Sequence, residues 1–212
     1  MKTFNKVLVL APHTDDGEIG CGGTIARFVE EGAEVYYIAF SSARKSLKER
    51  GLDENTLIRE VKAATEVLGI KPENLILYDY KVREFPAKRQ DILDDLIKLR
   101  NEIKPDIVFT PSLNDIHQDH ATLAHESLRA FKNITILGYE EPWNNIEFQT
   151  RTFFLLKKEH IQTKVDALYC YESQRHRKYL DKEFMFSLAK TRGVQIESEY
   201  AEAFEVMRLV IR

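Results

Sequence analysis

Residues 7–23, VLVLAPHTDDGEIGCGG, decide the fold. The four consecutive apolar residues 7–10 are typical of a strand buried on both faces, and this strand ends at a proline because proline cannot donate to a central ladder. An imidazole and two adjacent carboxylates follow within four residues, at His13, Asp15 and Asp16. We therefore predict a strand that presents these three side chains at its carboxyl end, just before a glycine-rich turn and a helix.

A second polar cluster follows a second apolar strand, which we predict over residues 106–112. This cluster contains His117, Asp119 and His120 within four residues. Carboxylate oxygens beside imidazole nitrogens suit a divalent first-row metal, with zinc the leading candidate. Because a catalytic zinc usually takes three protein ligands and leaves one position for water, the two clusters together can supply a complete site.

Strands and helices alternate along the first two thirds of the chain. The predicted strands cover 6–11, 34–40, 74–80 and 106–112, and the predicted helices cover 20–31, 54–68 and 87–103. Residues 41–53 are polar and are predicted to form a loop that could lie over the site. The alternation predicts an α/β fold, a Rossmann-like three-layer sandwich with a mostly parallel sheet of order 3-2-1-4-5.

The last third is predicted to finish the pocket. Strands are predicted over 148–156 and 202–211, and a helix over 161–174. We predict a single domain over residues 1–212, in which residues 1–141 form the Rossmann-like core and residues 142–212 form the C-terminal elements.

The predicted sheet order brings the two polar clusters together. In a doubly wound sheet, strands one and four are neighbours, and the loops at their carboxyl ends diverge at the point where ligands bind. The cluster at 13–16 follows strand one, and the cluster at 117–120 follows strand four. We therefore expect them to meet at one crevice, although they lie far apart in the chain.

Composition sets bounds on the class of protein. The chain has 212 residues, 43% of them hydrophobic, and 31 basic against 34 acidic residues give a net charge of −3. This balance argues against a nucleic-acid or anionic-membrane surface, since the one basic run, 43–50, is short and mixed. No stretch resembles a signal peptide or a membrane span. The two isolated cysteines, Cys21 and Cys170, favour a reducing cytoplasm.

Simpler interpretations exist for each cluster taken alone. The carboxylates at 15–16 could merely cap the following helix, and two histidines three residues apart at a helix start are often just solvated. The glycines at 20–23 suggest a dinucleotide-binding turn, but that turn follows its strand directly and carries a third glycine. Cys21 could ligate a metal or simply be a small buried residue. We interpret His125 and His160 as structural.

Residues 11–16, 19–24 and 117–120 resemble the signatures of the PIG-L/LmbE-like zinc deacetylases, the N-acetylglucosaminyl deacetylase family. The likeness continues over 59–69, 164–174 and 200–204. The resemblance implies zinc-dependent removal of an N-acetyl group from an N-acetylglucosamine-type sugar or sugar conjugate. It also implies homo-oligomers. The substituent on the sugar stays open.

The resemblance also implies roles for individual residues. His13, Asp16 and His120 would hold the zinc ion, and Asp15 would be the general base. A protonated His117 could then stabilise the oxyanion or protonate the departing amine, with Asp119 orienting its ring.

Other polar and aromatic residues are candidates for contacts to the sugar. They are Arg44, Arg151 and Gln174, together with Tyr171, Arg175, His176 and residues 143–145. Two other classes of protein stay open at this point. One is a metal-dependent phosphoesterase or nucleotide-dependent transferase on the same sheet, and the other is a non-catalytic relative.

Overall fold

A computed structural model describes residues 4–49 and 51–211. These residues form one sheet of seven strands. The strands are β1 (Lys6–Ala11), β2 (Glu34–Ala39), β3 (Leu75–Leu77), β4 (Ile107–Pro111), β5 (Thr135–Tyr139), β6 (Thr152–Leu156) and β7 (Tyr200–Arg208). Their spatial order is β3-β2-β1-β4-β5-β7-β6. The first five are parallel, whereas β7 is antiparallel to both β5 and β6.

Helices cover both faces of this sheet. They are α1 (Asp16–Glu30), α2 (Arg44–Glu49), α3 (Thr56–Val67), α4 (Arg89–Ile103), α5 (Gln118–Ala130), α6 (Lys158–Tyr169) and α7 (Lys182–Val194). Within the described residues, no helix has the length and apolar character needed to cross a membrane.

The strand β1 explains why the sandwich has three layers. Its residues alternate between faces, and both faces are fully buried. Val7 and Val9 pack in the cluster that contains residues of α1 and α3, whereas Leu8 and Leu10 pack in the cluster that contains residues of α4 and α5. Burial of each such side chain stabilises the fold by about 1.5–3 kcal/mol.

The α/β sandwich and the order 3-2-1-4-5 are confirmed, with two antiparallel strands added beyond β5. The third strand is shorter than residues 74–80. Beyond Leu77 the chain keeps only single hydrogen bonds to the β2 segment, from Tyr78 N–H to Ala39 O and from Tyr80 N–H to Phe40 O.

Residues 41–53 are not only a loop, because they contain α2, whose Leu47 is buried. Arg50 lies outside the described residues. The predicted helix 161–174 ends at Tyr169 and is followed by a separate 3-10 turn, Glu172–Gln174.

The helix α1 begins at Asp16, four residues before the predicted start. Its first two turns pack tightly against the sheet, and glycines permit this. A Cβ on Gly17 would lie 2.5 Å from Tyr37 Cε2, and one on Gly20 would overlap the ring of Tyr139. The helix is kinked at Cys21, where φ is −147°. The glycines therefore let the helix carrying Asp16 sit directly on the strands.

Candidate metal centre

A cleft of about 440 Å³ opens at the carboxyl ends of β1, β4 and β5. The polar residues that line it include His13, Asp15, Asp16, His117, His120 and Glu141. The two sequence clusters therefore meet at the switch point of the sheet, where open α/β folds bind their ligands.

Three side-chain atoms form a compact group at the floor of this cleft. His13 Nδ1 lies 3.0 Å from Asp16 Oδ2 and 3.2 Å from His120 Nε2, and His120 Nε2 lies 3.3 Å from Asp16 Oδ2. We call these three atoms the donor triangle. Ligand atoms at 2.0–2.1 Å from a tetrahedral zinc ion lie about 3.3 Å from one another. The donor triangle thus has the chemistry and the spacing that zinc requires.

Each imidazole of the donor triangle has a carboxylate behind it. Asp119 Oδ2 lies 3.3 Å from His13 Nε2, and Asp115 Oδ2 lies 2.8 Å from His120 Nδ1. Such carboxylates accept the proton of the outer nitrogen, so the inner nitrogen keeps a lone pair for a metal. The rings of both histidines are therefore oriented for ligation.

The position of Asp119 corrects one expectation. The Asp119 carboxylate contacts the His13 ring and not the His117 ring. The backbone N–H groups of Arg83 (2.6 Å) and Phe85 (3.3 Å) donate to the same carboxylate and hold it in this orientation. Burial raises the pKa of Asp119, but hydrogen bonds from His13 and the Arg83 N–H outweigh this effect and lower it. Asp119 is therefore an ionised partner for His13.

The surroundings of His117 favour an uncharged ring, whereas the sequence allowed for a protonated one. Burial and the neighbouring His120 and His13 lower the pKa of His117 to about 4. Its Nδ1 accepts a hydrogen bond from the Asp119 N–H at 3.2 Å, so the ring proton resides on Nε2. His117 can donate a hydrogen bond from Nε2 without carrying charge.

The carboxylates of the cleft attract positive charge. Burial lowers the pKa of His13, but Asp16 and Asp119 outweigh it and raise the value to about 9. Burial lowers the pKa of His120 too, and Asp16 and Glu141 raise it well above its usual range. A divalent cation can replace the protons that these histidines would otherwise bind.

Asp15 and Asp16 differ in their surroundings. Burial and the charge of Asp16 raise the pKa of Asp15 to about 6, while Arg177 opposes the rise. The pKa of Asp16 is lowered instead, because the attraction of His120 and His13 exceeds the effect of burial. Asp15 lines the same cleft as the donor triangle, and its surroundings favour protonation more than those of Asp16 do.

A buried network holds the loop that carries these aspartates. The hydroxyls of Tyr37 and Tyr171 lie 2.9 Å and 2.6 Å from the Thr14 carbonyl oxygen, and both contact the Glu18 carboxylate. Burial raises the pKa of Glu18 to about 8, although hydrogen bonds from the tyrosines oppose the rise. Tyr171 therefore supports the loop from behind and does not reach the cleft.

The predicted sugar contacts fall in different places. Gln174 lines the cleft, and its Oε1 accepts a hydrogen bond from Arg177 Nε at 2.7 Å. Arg44 and Arg151 are not among the lining residues. Arg44 lies 3.8 Å from Asp79, and the Arg151 N–H donates to the Phe204 carbonyl oxygen beside β7.

Aromatic and charged residues form the rim of the cleft. Trp143 and Tyr179 stack with ring centroids 3.8 Å apart, and Arg177 contacts the Tyr179 ring. Arg175 and His176 line a neighbouring cavity instead. Cys21 is buried and donates to the Gly17 carbonyl oxygen, away from the donor triangle.

Sequence reasoning missed four residues of the site. Asp115 lies two residues before the second cluster, and Glu141 follows β5, a strand that the pattern left without bounds. Arg177 and Tyr179 come from the segment between α6 and α7. The carboxylate of Asp115 was visible in the sequence, but its pairing with His120 depends on the turn before α5.

The fold and the donor triangle define a class: a Rossmann-like α/β protein in which donor atoms of two histidines and one aspartate meet at the switch point of the sheet. The sequence model of the PIG-L family, described as GlcNAc-PI de-N-acetylase, matches residues 8–131. The chain belongs to this family.

Individual relatives agree with this assignment. The chain is 29% identical over 168 residues to the uncharacterized deacetylase YaiS of Escherichia coli K12, covering 76% of this chain and 88% of YaiS. N,N'-diacetylchitobiose deacetylase from Pyrococcus horikoshii superposes with a TM-score of 0.79 at 23% identity, over 97% of this chain and 85% of that one. GalB from Pseudomonas putida KT2440, a 4-carboxy-2-hydroxymuconate hydratase, superposes with a TM-score of 0.79 at 21% identity, over 98% of each chain. The two structural likenesses establish the shared fold.

Proposed function

We propose that this protein is a zinc-dependent hydrolase that removes the acetyl group from an N-acetylglucosamine-type sugar or sugar conjugate. The observation that carries the proposal is the donor triangle, whose atoms lie 3.0–3.3 Å apart on the floor of an open cleft. The family description, GlcNAc-PI de-N-acetylase, supports the reaction and the sugar, and the deacetylase relatives agree with it.

His13, Asp16 and His120 would hold the zinc ion, with Asp119 and Asp115 fixing the two imidazoles. When bound, zinc polarises a carbonyl and lowers the pKa of a coordinated water from about 16 to about 7. The remaining chemistry belongs to residues of the cleft.

Asp15 acts as general base in this proposal. Its carboxylate takes a proton from the attacking water as the oxygen adds to the amide carbonyl carbon. It then returns that proton to the departing nitrogen, so the carbon–nitrogen bond breaks to give acetate and a free amine. Because Asp15 is both acceptor and donor, no charged histidine is needed for this step.

His117 stabilises the oxyanion that forms on the carbonyl oxygen. Its neutral ring donates from Nε2, and the Asp119 N–H holds the opposite nitrogen in place. Removal of one such donor typically lowers the turnover rate by about 10²–10³-fold. Gln174, Arg177, Trp143 and Tyr179 line the cleft and would contact the sugar in this proposal.

We propose further that residues 1–212 act as one catalytic domain, with residues 142–212 completing the cleft. The two cysteines are unpaired, which supports a cytoplasmic location. Assembly into homo-oligomers stays a prediction.

The test is release of acetate and free amine from a panel of N-acetylamino sugars and their conjugates by zinc-loaded protein. We expect turnover on at least one substrate, lost on chelation and restored by zinc. The control is the Asp15→Asn variant, loaded with zinc in the same way. Absence of acetate from every substrate would refute the proposal and favour another reaction on this fold, of which the GalB hydratase is an example.

A further inference from the structure

Glu141 is a buried carboxylate beside the donor triangle with an unpaired oxygen. Only 1% of the residue is exposed. Its Oε2 accepts from Asn144 Nδ2 at 3.1 Å and lies 3.6 Å from His120 Nδ1. Its Oε1 has no hydrogen-bond partner within the described part of the chain. A buried carboxylate oxygen without a partner is costly, so this atom requires an explanation.

Every other buried glutamate among residues 4–49 and 51–211 has a partner for both oxygens. They are Glu18 (two tyrosine hydroxyls), Glu60 (Ser173), Glu126 (two arginines), Glu140 (Arg192), Glu202 (Lys164 and two backbone amides) and Glu205 (Ser112 and the Gln149 amide). The fold therefore satisfies its buried glutamates as a rule, and Glu141 is the exception.

The surroundings of Glu141 indicate what its free oxygen lacks. One ligand atom from each of Asp16, His120 and Glu141 can be chosen so that all three lie within 4.8 Å of one another. An oxygen of Glu141 thus lies within 4.8 Å of an oxygen of Asp16, and two carboxylates this close repel each other unless a cation lies nearby. The backbone holds Glu141 there, because its N–H donates to Asn145 Oδ1 at 2.7 Å and its carbonyl accepts from the Asn144 and Asn145 amides.

We propose that Glu141 is a fourth protein ligand of the cation held by the donor triangle. The proposal rests on the metal-dependent function given above. Glu141 would hold the ion together with His13, Asp16 and His120 and would raise its affinity for the protein. The water and substrate of the proposed reaction would have to displace Glu141, so Glu141 would compete with both for the ion.

The test measures metal binding without reference to catalysis. Zinc dissociation constants from chelator competition, and visible spectra of the cobalt-loaded protein, are compared between wild type and Glu141→Gln. An amide is a weaker ligand than a carboxylate, so we expect the zinc dissociation constant to rise at least about tenfold and the cobalt spectrum to change. Glu141→Asp, which keeps the charge but shortens its reach, should change both readouts in the same direction and serves if the glutamine variant does not fold.

Two further variants make the result specific. Glu147→Gln removes an exposed charge from the same segment, and we expect it to alter neither readout. Asp115→Asn removes the carboxylate behind His120, and we expect weaker zinc binding with the cobalt ligand set retained.

One result would overturn the inference: a zinc affinity and a cobalt spectrum of Glu141→Gln that equal those of wild type. If the KM of that variant is raised as well, Glu141 is assigned to substrate binding instead. If wild type itself binds neither zinc nor cobalt, the proposed function fails instead, so the two failures are distinguishable.

Discussion

Asp15 and Asp16 are adjacent carboxylates with separate tasks in the proposed mechanism. Asp16 Oδ2 belongs to the donor triangle, whereas Asp15 lines the cleft. We therefore expect Asp15→Asn to keep its zinc and to lower kcat by about a hundredfold or more, because the general base is lost. Elemental analysis and kinetics on the same sample check this. Loss of zinc from Asp15→Asn would mean that the two aspartates have exchanged roles.

The ionisation of Asp15 predicts the acidic side of the pH profile. Burial and the charge of Asp16 raise its pKa to about 6, and a bound cation favours the ionised form. A general base must be deprotonated, so kcat/KM should fall as the pH drops through a value at or below about 6. Rate measurements at saturating zinc would show this limb. A limb well above pH 6 would indicate a different titrating group.

At the level of single residues, the sequence predicted which side chains converge but not how they pair. The two clusters that follow neighbouring strands predicted that these side chains would meet, whereas the choice of His13, Asp16 and His120 as the three donors came from the resemblance to the PIG-L family. The partner of Asp119 did not follow from its position next to His117, since backbone amides of residues 83 and 85 turn its carboxylate toward His13. Such pairings depend on side-chain rotamers that no pattern in the chain encodes.

At the level of elements, a buried ion pair fixes the helix that carries Asp16. Lys164 Nζ on α6 lies 2.7 Å from Glu202 Oε1 on β7, and Glu202 also accepts the backbone N–H groups of Gly23 and Thr24 on α1. Both charged side chains are almost fully buried. Three elements therefore meet at one carboxylate.

Removal of the lysine should destabilise the protein strongly. In Lys164→Ala, the Glu202 carboxylate stays buried without its cation, which costs about 3–5 kcal/mol in the free energy of unfolding. Urea unfolding followed by circular dichroism measures this. Lys158→Ala, an exposed position on the same helix, is the matched control. If Lys164→Ala lowers the free energy of unfolding as little as Lys158→Ala does, water must solvate the Glu202 carboxylate in place of the lysine.

Two of the elements that the sequence missed, α2 and α7, share a physical cause. The helix α2 has six residues and, among those whose burial the structure describes, buries only Leu47, so its periodicity is too short to recognise. The helix α7 buries Met185, Ala189 and Gly193, and two of these three are small residues. Helices whose packed face is short or small leave little hydrophobic pattern.

For the whole molecule, the donor triangle joins segments that are 107 residues apart in the chain. Zinc should therefore bind the folded state far more tightly than the unfolded state and stabilise it. Zinc at a hundred times its dissociation constant contributes roughly 2.7 kcal/mol, which corresponds to a Tm increase of roughly 5–10 °C for a chain of this size. Calorimetry with chelator, and then with restored zinc, checks this. A Tm that does not change when zinc is removed or restored would argue against a zinc site formed by the donor triangle.

The sheet order of the first four strands could be predicted because each parallel crossover needs a helix and the pattern shows those three helices. The fifth strand was expected only from the doubly wound order 3-2-1-4-5, since the pattern gives bounds for neither β5 nor α5. The positions of the last two strands in the sheet could not be predicted. β7 inserts between β5 and β6 although it comes last in the chain, and this choice depends on how β7 packs against α7 and on side chains such as Glu205. Antiparallel additions to an edge have several equivalent arrangements, so the sequence alone does not choose among them.

The close packing of α1 against the sheet also limits which substitutions this protein can tolerate as it acquires new substrates. In a library randomised over residues 17–23, any selection for a new substrate should return glycine at 17 and 20, because every other residue would collide with Tyr37 or Tyr139. New specificities should instead arise at the cleft rim, around Trp143 and residues 174–179. The proposed chemistry is thus encoded in the first two thirds of the chain, and the adaptable part of the cleft rim is encoded in the last third.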